Sequence, residues 1–233
     1  MHTPIEIIDR HNRHLYEDVL ADMWAMRYRV SRQYNWSVPY KIRGEDKDDF
    51  DTEETIYLVL LNGARKVVGC SRLNDTSRPH LIDTVFPQYC DEDAIPRRPT
   101  VWEFSRLFAD KTRTDLKGVV KTCYLLMSAT AEFVLANDLE GVTWYTSMPN
   151  YSAALACWQR TRPIGKPALH EPDKVIYVPA YSPIDEEGLH LIKKRARHDG
   201  LASSYLTADG RRLPGDVVRL VPSQREGGVP HAA

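Results

Sequence analysis

Thr55-Ile56-Tyr57-Leu58-Val59-Leu60-Leu61, then Asn62-Gly63, then Lys66-Val67-Val68-Gly69-Cys70-Ser71-Arg72-Leu73: two β-prone runs joined around Asn-Gly are a strong short-range hairpin signal. The hairpin fixes two neighbouring strands, and the flanking patterns arrange themselves around it. Upstream, residues 5 to 8 read as a short opening strand. From about Asn12 the apolar residues Leu15, Val19, Met23, Met26 and Val30 recur every three or four positions, which is one face of an amphipathic helix. Downstream, residues 74 to 100 are turn-rich, with Pro79, Pro87, Pro96 and Pro99, and a strand is expected over 101–108. Val119 to Asn137 predicts a second helix, with Val119, Cys123, Leu126, Met127, Thr130, Phe133 and Val134 as its inner stripe. Val142 to Ser147 predicts a strand, Ser152 to Arg160 a third helix, and Lys174 to Val178 a further strand. The order β-α-β-β-β-α-β-α-β points to an α/β domain with a mixed sheet.

Residues 183–233 read as a C-terminal extension to a domain spanning 1–182. A helix is expected over Glu186 to Arg197, a short strand over Asp216 to Val221, and a frayed Gly/Pro-rich end from Ser223. A chain of 233 residues with 42% hydrophobic and 27% charged content is long enough for a real core. Its formal net charge of −1 gives no global bias toward nucleic acid or membrane, and neither is expected as a partner. Cys70, Cys90, Cys123 and Cys157 are widely spaced with no CxxC pair. Free thiols in a reducing cytoplasm explain them better than disulfides or zinc. No signal peptide and no membrane span are expected. The histidines show no metal-ligand spacing, so no metal is expected, and there is no GxGxxG or Walker-type loop.

The segment Ser31 to Asp51 loses helical periodicity and carries the acidic run Glu45-Asp46-Lys47-Asp48-Asp49-Phe50-Asp51. Loops beyond about 12–15 residues are mostly functional or disordered. Tyr34, Trp36 and Phe50 argue for order. In Val101-Trp102-Glu103-Phe104-Ser105-Arg106 a carboxylate, a hydroxyl and a guanidinium stand at i, i+2 and i+3. On a strand, Glu103 and Ser105 share a face. A mid-strand charge is costly to bury unless paired. A structural ion pair from Glu103 to Arg72 or Arg106 is therefore as good a reading as a functional one. Taken singly, Asp48 and Asp51 also suit a solvated loop, Trp36 a core plug, and Arg27 a helix-dipole partner.

Jointly, Arg27, Trp36, Asp48, Asp51, Arg72, Glu103, Ser105 and Arg106 make a sharper pattern, with Asp49-Phe50-Asp51, Val68-Gly69-Cys70-Ser71-Arg72-Leu73 and Trp102-Glu103-Phe104-Ser105-Arg106 between them. Over roughly residues 5 to 180 the chain resembles the acyl-homoserine-lactone synthases, the LuxI-type autoinducer synthases of bacterial quorum sensing. It departs from the family pattern in two places. Ser31 stands where the family carries Phe, and the spacing from Arg27 to Trp36 is one residue shorter. The segment after Arg160 also lacks a Gly-aromatic pair.

The resemblance implies a GNAT-like three-layer α/β/α sandwich around a mixed, mainly antiparallel sheet. It also implies a reaction. The amine of S-adenosylmethionine attacks an acyl thioester carried by acyl carrier protein or coenzyme A. The methionine carboxylate then attacks its own γ-carbon, closing the lactone and expelling methylthioadenosine. S-adenosylmethionine is a substrate, and no cofactor is implied. Glu103 is the candidate base, with Ser105 and Arg106 beside it. Arg27, Trp36, Asp48, Asp51, Arg72 and Arg106 are the candidate S-adenosylmethionine site: acids and Trp36 for the onium groups, Arg27 or Arg106 for the carboxylate, Arg72 to hold the acids. The implied acyl pocket comprises Leu81, Leu107, Cys123, Met127, Trp144, Tyr145, Thr146, Ala154 and Cys157, each of which also suits ordinary packing. Whether Trp144 or Tyr145 points into it depends on register. Arg97, Arg98, Lys111, Arg113, Lys117 and Lys121 suggest a basic surface for an acidic donor, or a solvated face. A GNAT-like N-acyltransferase using another amine is the alternative enzyme, although no pyrophosphate loop is evident. A non-catalytic binding module on the same fold is the third reading.

Overall fold

The structure, a computed structural model, describes residues 5–34, 43–172 and 174–219. Among them are the strands β1 (Ile5–Ile8), β2 (Ile56–Leu61), β3 (Val67–Asp75), β4 (Val101–Ala109), β5 (Gly141–Ser147), β6 (Arg162–Pro163), β7 (Ala168–His170), β8 (Val175–Pro183), β9 (Ser203–Leu206) and β10 (Arg212–Pro214). The α-helices are α1 (Glu17–Gln33), α2 (Leu81–Thr84), α3 (Leu116–Ala136), α4 (Met148–Leu155) and α5 (Glu186–Ala196). One sheet runs β10-β9-β1-β2-β3-β4-β5-β8-β6, with β7 also on β8. Only β1–β9 and β4–β5 are parallel among these pairs. The sheet is thus mixed and mainly antiparallel.

The hairpin forms as read. Tyr57 pairs with Arg72 and Val59 with Cys70. Its loop closes through the Asn62 side chain, whose Oδ1 accepts from the amides of Ala64 and Lys66, both at 3.0 Å. The left-handed residue is Arg65, at φ 55°, not Gly63. Gly69 serves the helix behind: a Cβ there would lie 2.3 Å from Thr122 Cγ2. Only glycine lets α3 cross the sheet that closely.

Both faces are covered. The stripe Val19, Met23, Met26 and Val30 of α1 buries against Ile8, Tyr57, Val59, Cys70 and Phe108. On the other face Leu125, Leu126, Phe133 and Val134 of α3 meet Ile5, Ile7, Leu58, Leu60, Leu73, Trp102 and Phe104, with α5 contributing Ile192 and Ala196. This is the three-layer sandwich. Helix α3 is apolar over a length that would cross a membrane, yet it is a core helix here. It begins at Asp115, whose carboxylate accepts from Gly118 N at 2.6 Å.

Several boundaries move for local reasons. The first helix starts at Glu17 after a 3-10 turn at Arg13–Leu15. The third helix starts earlier, at Met148, with Pro149 in its first turn, where the missing N–H costs nothing. Strand β8 continues past Pro179 to Pro183. Pro179 stands between the stretches that pair with β6 and β7, where no ladder donor is required. The stretch after 183 joins the same sheet. Strand β9 lies beside β1, and buried Glu132 of α3 accepts from Ala202 N at 2.9 Å and Ser203 Oγ at 2.9 Å. Lys193 of α5 reaches the same carboxylate at 3.2 Å. Over the described part of the strand expected from Asp216 to Val221 there is instead a 3-10 turn, Gly215–Val217, packed against Ser203; residues 220 and 221, and the end expected to fray from Ser223, lie outside the described residues.

Candidate active site

Strand pairing puts the polar residues on one face. Tyr57 pairs with Arg72, Arg72 with Ser105, Asn74 with Glu103, and Glu103 with Thr143. Directly paired residues share a face, so these side chains rise together on the α1 side. Alternation would send Arg106 to the opposite face. It does not go there, because the β3–β4 register slips between Cys70 and Arg72 and Arg106 adopts φ 53°. This bulge re-aims its side chain.

The result is a buried ion network. Arg27 binds Asp51 through two nitrogens, at 2.8 and 3.0 Å, and lies 3.5 Å from Asp46. Arg72 reaches Asp48 at 2.5 Å, Asp51 at 3.1 Å and, through Nε, Ser105 Oγ at 3.0 Å. Arg106 Nη2 bridges Asp46 at 3.2 Å and Asp48 at 2.7 Å. Asp51 also accepts from Tyr57 OH at 3.0 Å and from the Asp48 amide at 2.8 Å. Burial alone would raise the proton affinity of Asp51, but Arg72 and Arg27 outweigh it and hold the carboxyl far below the usual range. Burial pushes the Cys70 thiol beneath the network up to about 12. Three arginines thus meet three aspartates. Only Asp48 and Arg106 keep some exposure, with side chains 14% and 15% accessible. Arg27 Nε, Arg72 Nη2 and Arg106 Nε have no partner among the described residues.

Glu103 is buried but takes no part in an ion pair among the described residues. Its two oxygens accept from the backbone amides of Leu81 at 3.2 Å and Ile82 at 2.9 Å. Burial raises its pKa above the ordinary carboxylate value, against the opposing pull of His80, the two amides and Arg72. The structural ion pair to Arg72 or Arg106 does not form.

The structure therefore brings together Arg27, Asp48, Asp51, Arg72, Glu103, Ser105 and Arg106. Trp36 lies outside the described residues. Asp46, Tyr57, Asn74 and His80 belong to the same site and were not singled out by sequence. Three arginines in the pattern called for a third acid, which was the available signal for Asp46. Nothing local marks Asn74, whose Oδ1 accepts from Thr55 Oγ1 at 2.8 Å while its Nδ2 donates to Phe50 O at 3.1 Å.

The residues expected to form an acyl pocket divide between the two faces. Leu107, Met127, Trp144, Ala154 and Cys157 sit in or against the core under α3, and Thr146 alternates with Trp144 onto that side. Trp144 donates to Ser182 Oγ at 2.8 Å and packs near Tyr151 and Trp158, both ring centroids at 6.3 Å. Tyr145 is on the Glu103 side, stacked on Phe86 at 4.2 Å and on Tyr177 at 5.0 Å. Leu81 is on that side too, where its backbone N–H donates to Glu103. Cys123 is half-buried on α3. The basic residues are largely spent: Arg97 pairs with Asp83 and Glu92, Arg98 with Glu140, and Arg113 with Asp22. Lys111 lies over Tyr34, and Lys117 and Lys121 open α3, beyond the end of β4 remote from Glu103.

Comparison with known proteins gives the family. Residues 11–188 match the autoinducer synthase family model. An isovaleryl-homoserine lactone synthase of Bradyrhizobium diazoefficiens is 35% identical over 173 residues, covering 72% of this chain and 74% of that protein. A solved CoA-dependent acyl-homoserine lactone synthase, BjaI, bound to SAM and isopentyl-CoA, superposes with a TM-score of 0.76 at 30% identity, covering 91% of this chain and 96% of that one. The fold extends to a Lactobacillus plantarum structure, at a TM-score of 0.50 and 14% identity over 78% of this chain and all of that one. The matched region contains every residue of the ion network and Glu103, and the chain belongs to the autoinducer synthase family as an acyltransferase of the acyl-homoserine-lactone synthase type.

Proposed function

We propose that this cleft joins the amine of S-adenosylmethionine to a short branched acyl group taken from coenzyme A, then closes the lactone and releases methylthioadenosine. The observation that carries the reading is Glu103. It is a buried carboxylate with raised proton affinity, held by backbone amides rather than a cation, on the same sheet face as three arginines already matched by three aspartates. Glu103 is thus the unmatched anion. S-adenosylmethionine brings a sulfonium and an ammonium against one carboxylate, so its excess positive charge complements the site.

The chemistry follows. A free α-amino group has a pKa of roughly 7.7–8.0, so much of it is protonated at neutral pH and cannot attack. Glu103 takes that proton, directly or through one water. The nitrogen–carbonyl bond forms, the carbon–sulfur bond of the thioester breaks, and sulfur leaves as the thiol. The methionine carboxylate then attacks the γ-carbon. The bond to the sulfonium breaks, and its electron pair stays on the sulfur of methylthioadenosine. The sequence balances without an oxidant, a reductant or a metal. Arg106, whose side chain keeps 15% accessibility while Nη2 holds Asp46 and Asp48, is suited to the methionine carboxylate. Asp51 has both oxygens engaged by Arg27, Arg72, Tyr57 and the Asp48 amide, so it serves to hold the arginines. The family pattern gives Trp36 the onium face.

Coenzyme A as carrier is supported by the likeness to the CoA-dependent BjaI. A short branched acyl group is supported by the isovaleryl relative and by the aromatic packing of Phe104, Trp144, Tyr151 and Trp158 behind β4 and β5. The four free thiols suit a cytoplasmic setting. The test is methylthioadenosine release from S-adenosylmethionine with isovaleryl-CoA, straight-chain acyl-CoAs of rising length, and the same acyl groups on carrier protein. Isovaleryl-CoA is expected to turn over fastest. Release with no thioester refutes the reading, and faster turnover on carrier protein refutes the choice of donor.

A further inference from the structure

Asn74 is neutral and buried, and no step above uses it. It stands between two parts of the site. On one side its ladder partner is Glu103 of β4. On the other, Ile56 pairs with Leu73, which sets Thr55, the residue before β2, across from Asn74. Its carboxamide is spent on the acidic loop. Nδ2 donates to the Phe50 carbonyl at 3.1 Å, and Oδ1 accepts from Thr55 Oγ1 at 2.8 Å. The partners fix this orientation: a carbonyl only accepts, so the NH2 faces Phe50 and the amide oxygen faces the hydroxyl. Thr55 Oγ1 in turn accepts from Thr52 N at 2.9 Å.

Phe50 lies within the turn that carries Asp48 and Asp51. Asp51 N donates to Asp48 O at 3.1 Å, and Phe50 N donates to Asp48 Oδ1 at 2.9 Å. The ion pairs that tie this turn to Arg72 and Arg106 run through the two carboxylates. A cation entering the cleft competes with those arginines for the same oxygens. The bonds of Asn74 go to a backbone carbonyl and a hydroxyl, for which the arginines do not compete. Asn74 also makes this tie without charge. An ionised side chain at 74 would stand beside Glu103 on the ladder and change how readily Glu103 holds a proton.

We infer that Asn74 is a positioning residue for S-adenosylmethionine: it fastens the backbone of the Asp48–Asp51 turn to β3, so the acids keep their place when the cationic substrate arrives. The inference rests on the proposed reading that this cleft takes S-adenosylmethionine.

The experiment compares the full chain with Asn74→Leu, which has a similar volume and makes neither hydrogen bond. Thr55 Oγ1 lies 2.8 Å from the Phe50 carbonyl, so its hydroxyl can turn to that oxygen and the fold should survive. Asn74→Val, a strand former, serves if the leucine variant folds poorly. Binding of S-adenosylmethionine is measured by calorimetry, and KM and kcat by methylthioadenosine release with isovaleryl-CoA. Kd and KM for S-adenosylmethionine are expected to rise about three- to tenfold, the effect of losing a neutral hydrogen bond. KM for the thioester and kcat should stay within about twofold of the parent, as expected when binding rather than chemistry is lost. An unmoved Kd in a folded variant overturns the inference. So does an equal rise in both KM values, which would make Asn74 part of the general scaffold. A fall in kcat with Kd unmoved also overturns it and places the effect at Glu103. If the parent bound no S-adenosylmethionine, the proposed function would fall and this inference with it; parent binding with an unmoved variant overturns the role of Asn74 alone.

Discussion

Ser105 and Arg106 follow one another in β4, yet both join the same ion network: Arg72 Nε donates to Ser105 Oγ at 3.0 Å, and Arg106 Nη2 donates to Asp48 at 2.7 Å. The left-handed φ of 53° at Arg106 makes this possible. A non-glycine residue held there costs on the order of 1–3 kcal/mol. The ion pairs to Asp46 and Asp48 offset that cost, so the bulge and the network stabilise one another.

Arg106→Lys separates the two duties of this side chain. A single ammonium can still bridge Asp46 and Asp48, as Nη2 does, so the fold should survive with Tm lowered by no more than a few degrees. The remaining guanidinium donors of the partly accessible side chain are lost. A charge-assisted hydrogen bond is worth about 1.5–3 kcal/mol, so KM for S-adenosylmethionine should rise by roughly tenfold or more. A normal KM with a large drop in Tm would assign Arg106 to the scaffold alone.

Glu103→Gln should keep the fold and lose about 10²–10⁴-fold in acylation rate, because the amide cannot accept the amine proton. Its stability at neutral pH should stay near that of the parent. The raised folded-state pKa means that protonated Glu103 stabilises the fold below its unfolded value, and that contribution is lost as pH rises through the folded value. At neutral pH the buried charge is therefore a cost, and glutamine removes it. One hydrogen bond from the Leu81 or Ile82 amide is weakened in return, worth about 1 kcal/mol. Near-normal turnover across the pH range would make Glu103 structural.

Much of this was legible from sequence where the determinants are local. The hairpin declared itself through β-prone runs around Asn62, but the register that puts Tyr57 opposite Arg72 came from the longer loop and the irregularity at Leu60–Leu61, which the sequence did not show. Glu103 and Ser105 share a face by plain alternation. What was not legible came from long-range closure. Asp46 looks like any other acid in its run, and only the fold shows it buried between Arg27 and Arg106. The bulge at Arg106 breaks the alternation on which a sequence reading relies. His80 is buried by one short turn of helix among prolines, a segment with no periodicity to read. The choice between Trp144 and Tyr145 hung on register alone. Pairing of Glu103 with Thr143 decides it, sending Tyr145 to the Glu103 side and Trp144 beneath α3.

Asp51 predicts an acid limit to stability. Its folded-state pKa is depressed, so its contribution is complete above the unfolded value of about 3.9 and is lost as pH falls from there toward the folded value. Asp51→Asn leaves Arg27 and Arg72 buried without their shared anion. Breaking such a pair costs about 3–5 kcal/mol. Urea melts of both proteins should show that gap at pH 7 and a narrowing gap below about pH 4. A gap that stays constant down to pH 3 would mean that Asp51 is not the group whose protonation loosens the network.

Trp144 tests the acyl preference. Its indole is held by Ser182 Oγ and by the rings of Tyr151 and Trp158, in the core that also contains Met127 and Cys157. Trp144→Ala removes the largest side chain on that wall and should lower stability by about 3–5 kcal/mol. Trp144→Phe gives a milder enlargement in case the alanine variant unfolds. Each buried methylene is worth about 0.8 kcal/mol, so room for two more carbons should shift selectivity toward longer thioesters on the order of tenfold. The measurement is competition between acyl-CoAs of different length for methylthioadenosine release. If both variants were destabilised with an unchanged chain-length profile, Trp144 would be packing for α3 and α4 alone, and the acyl group would have to run on the Glu103 side, along Tyr145, Phe86 and Tyr177.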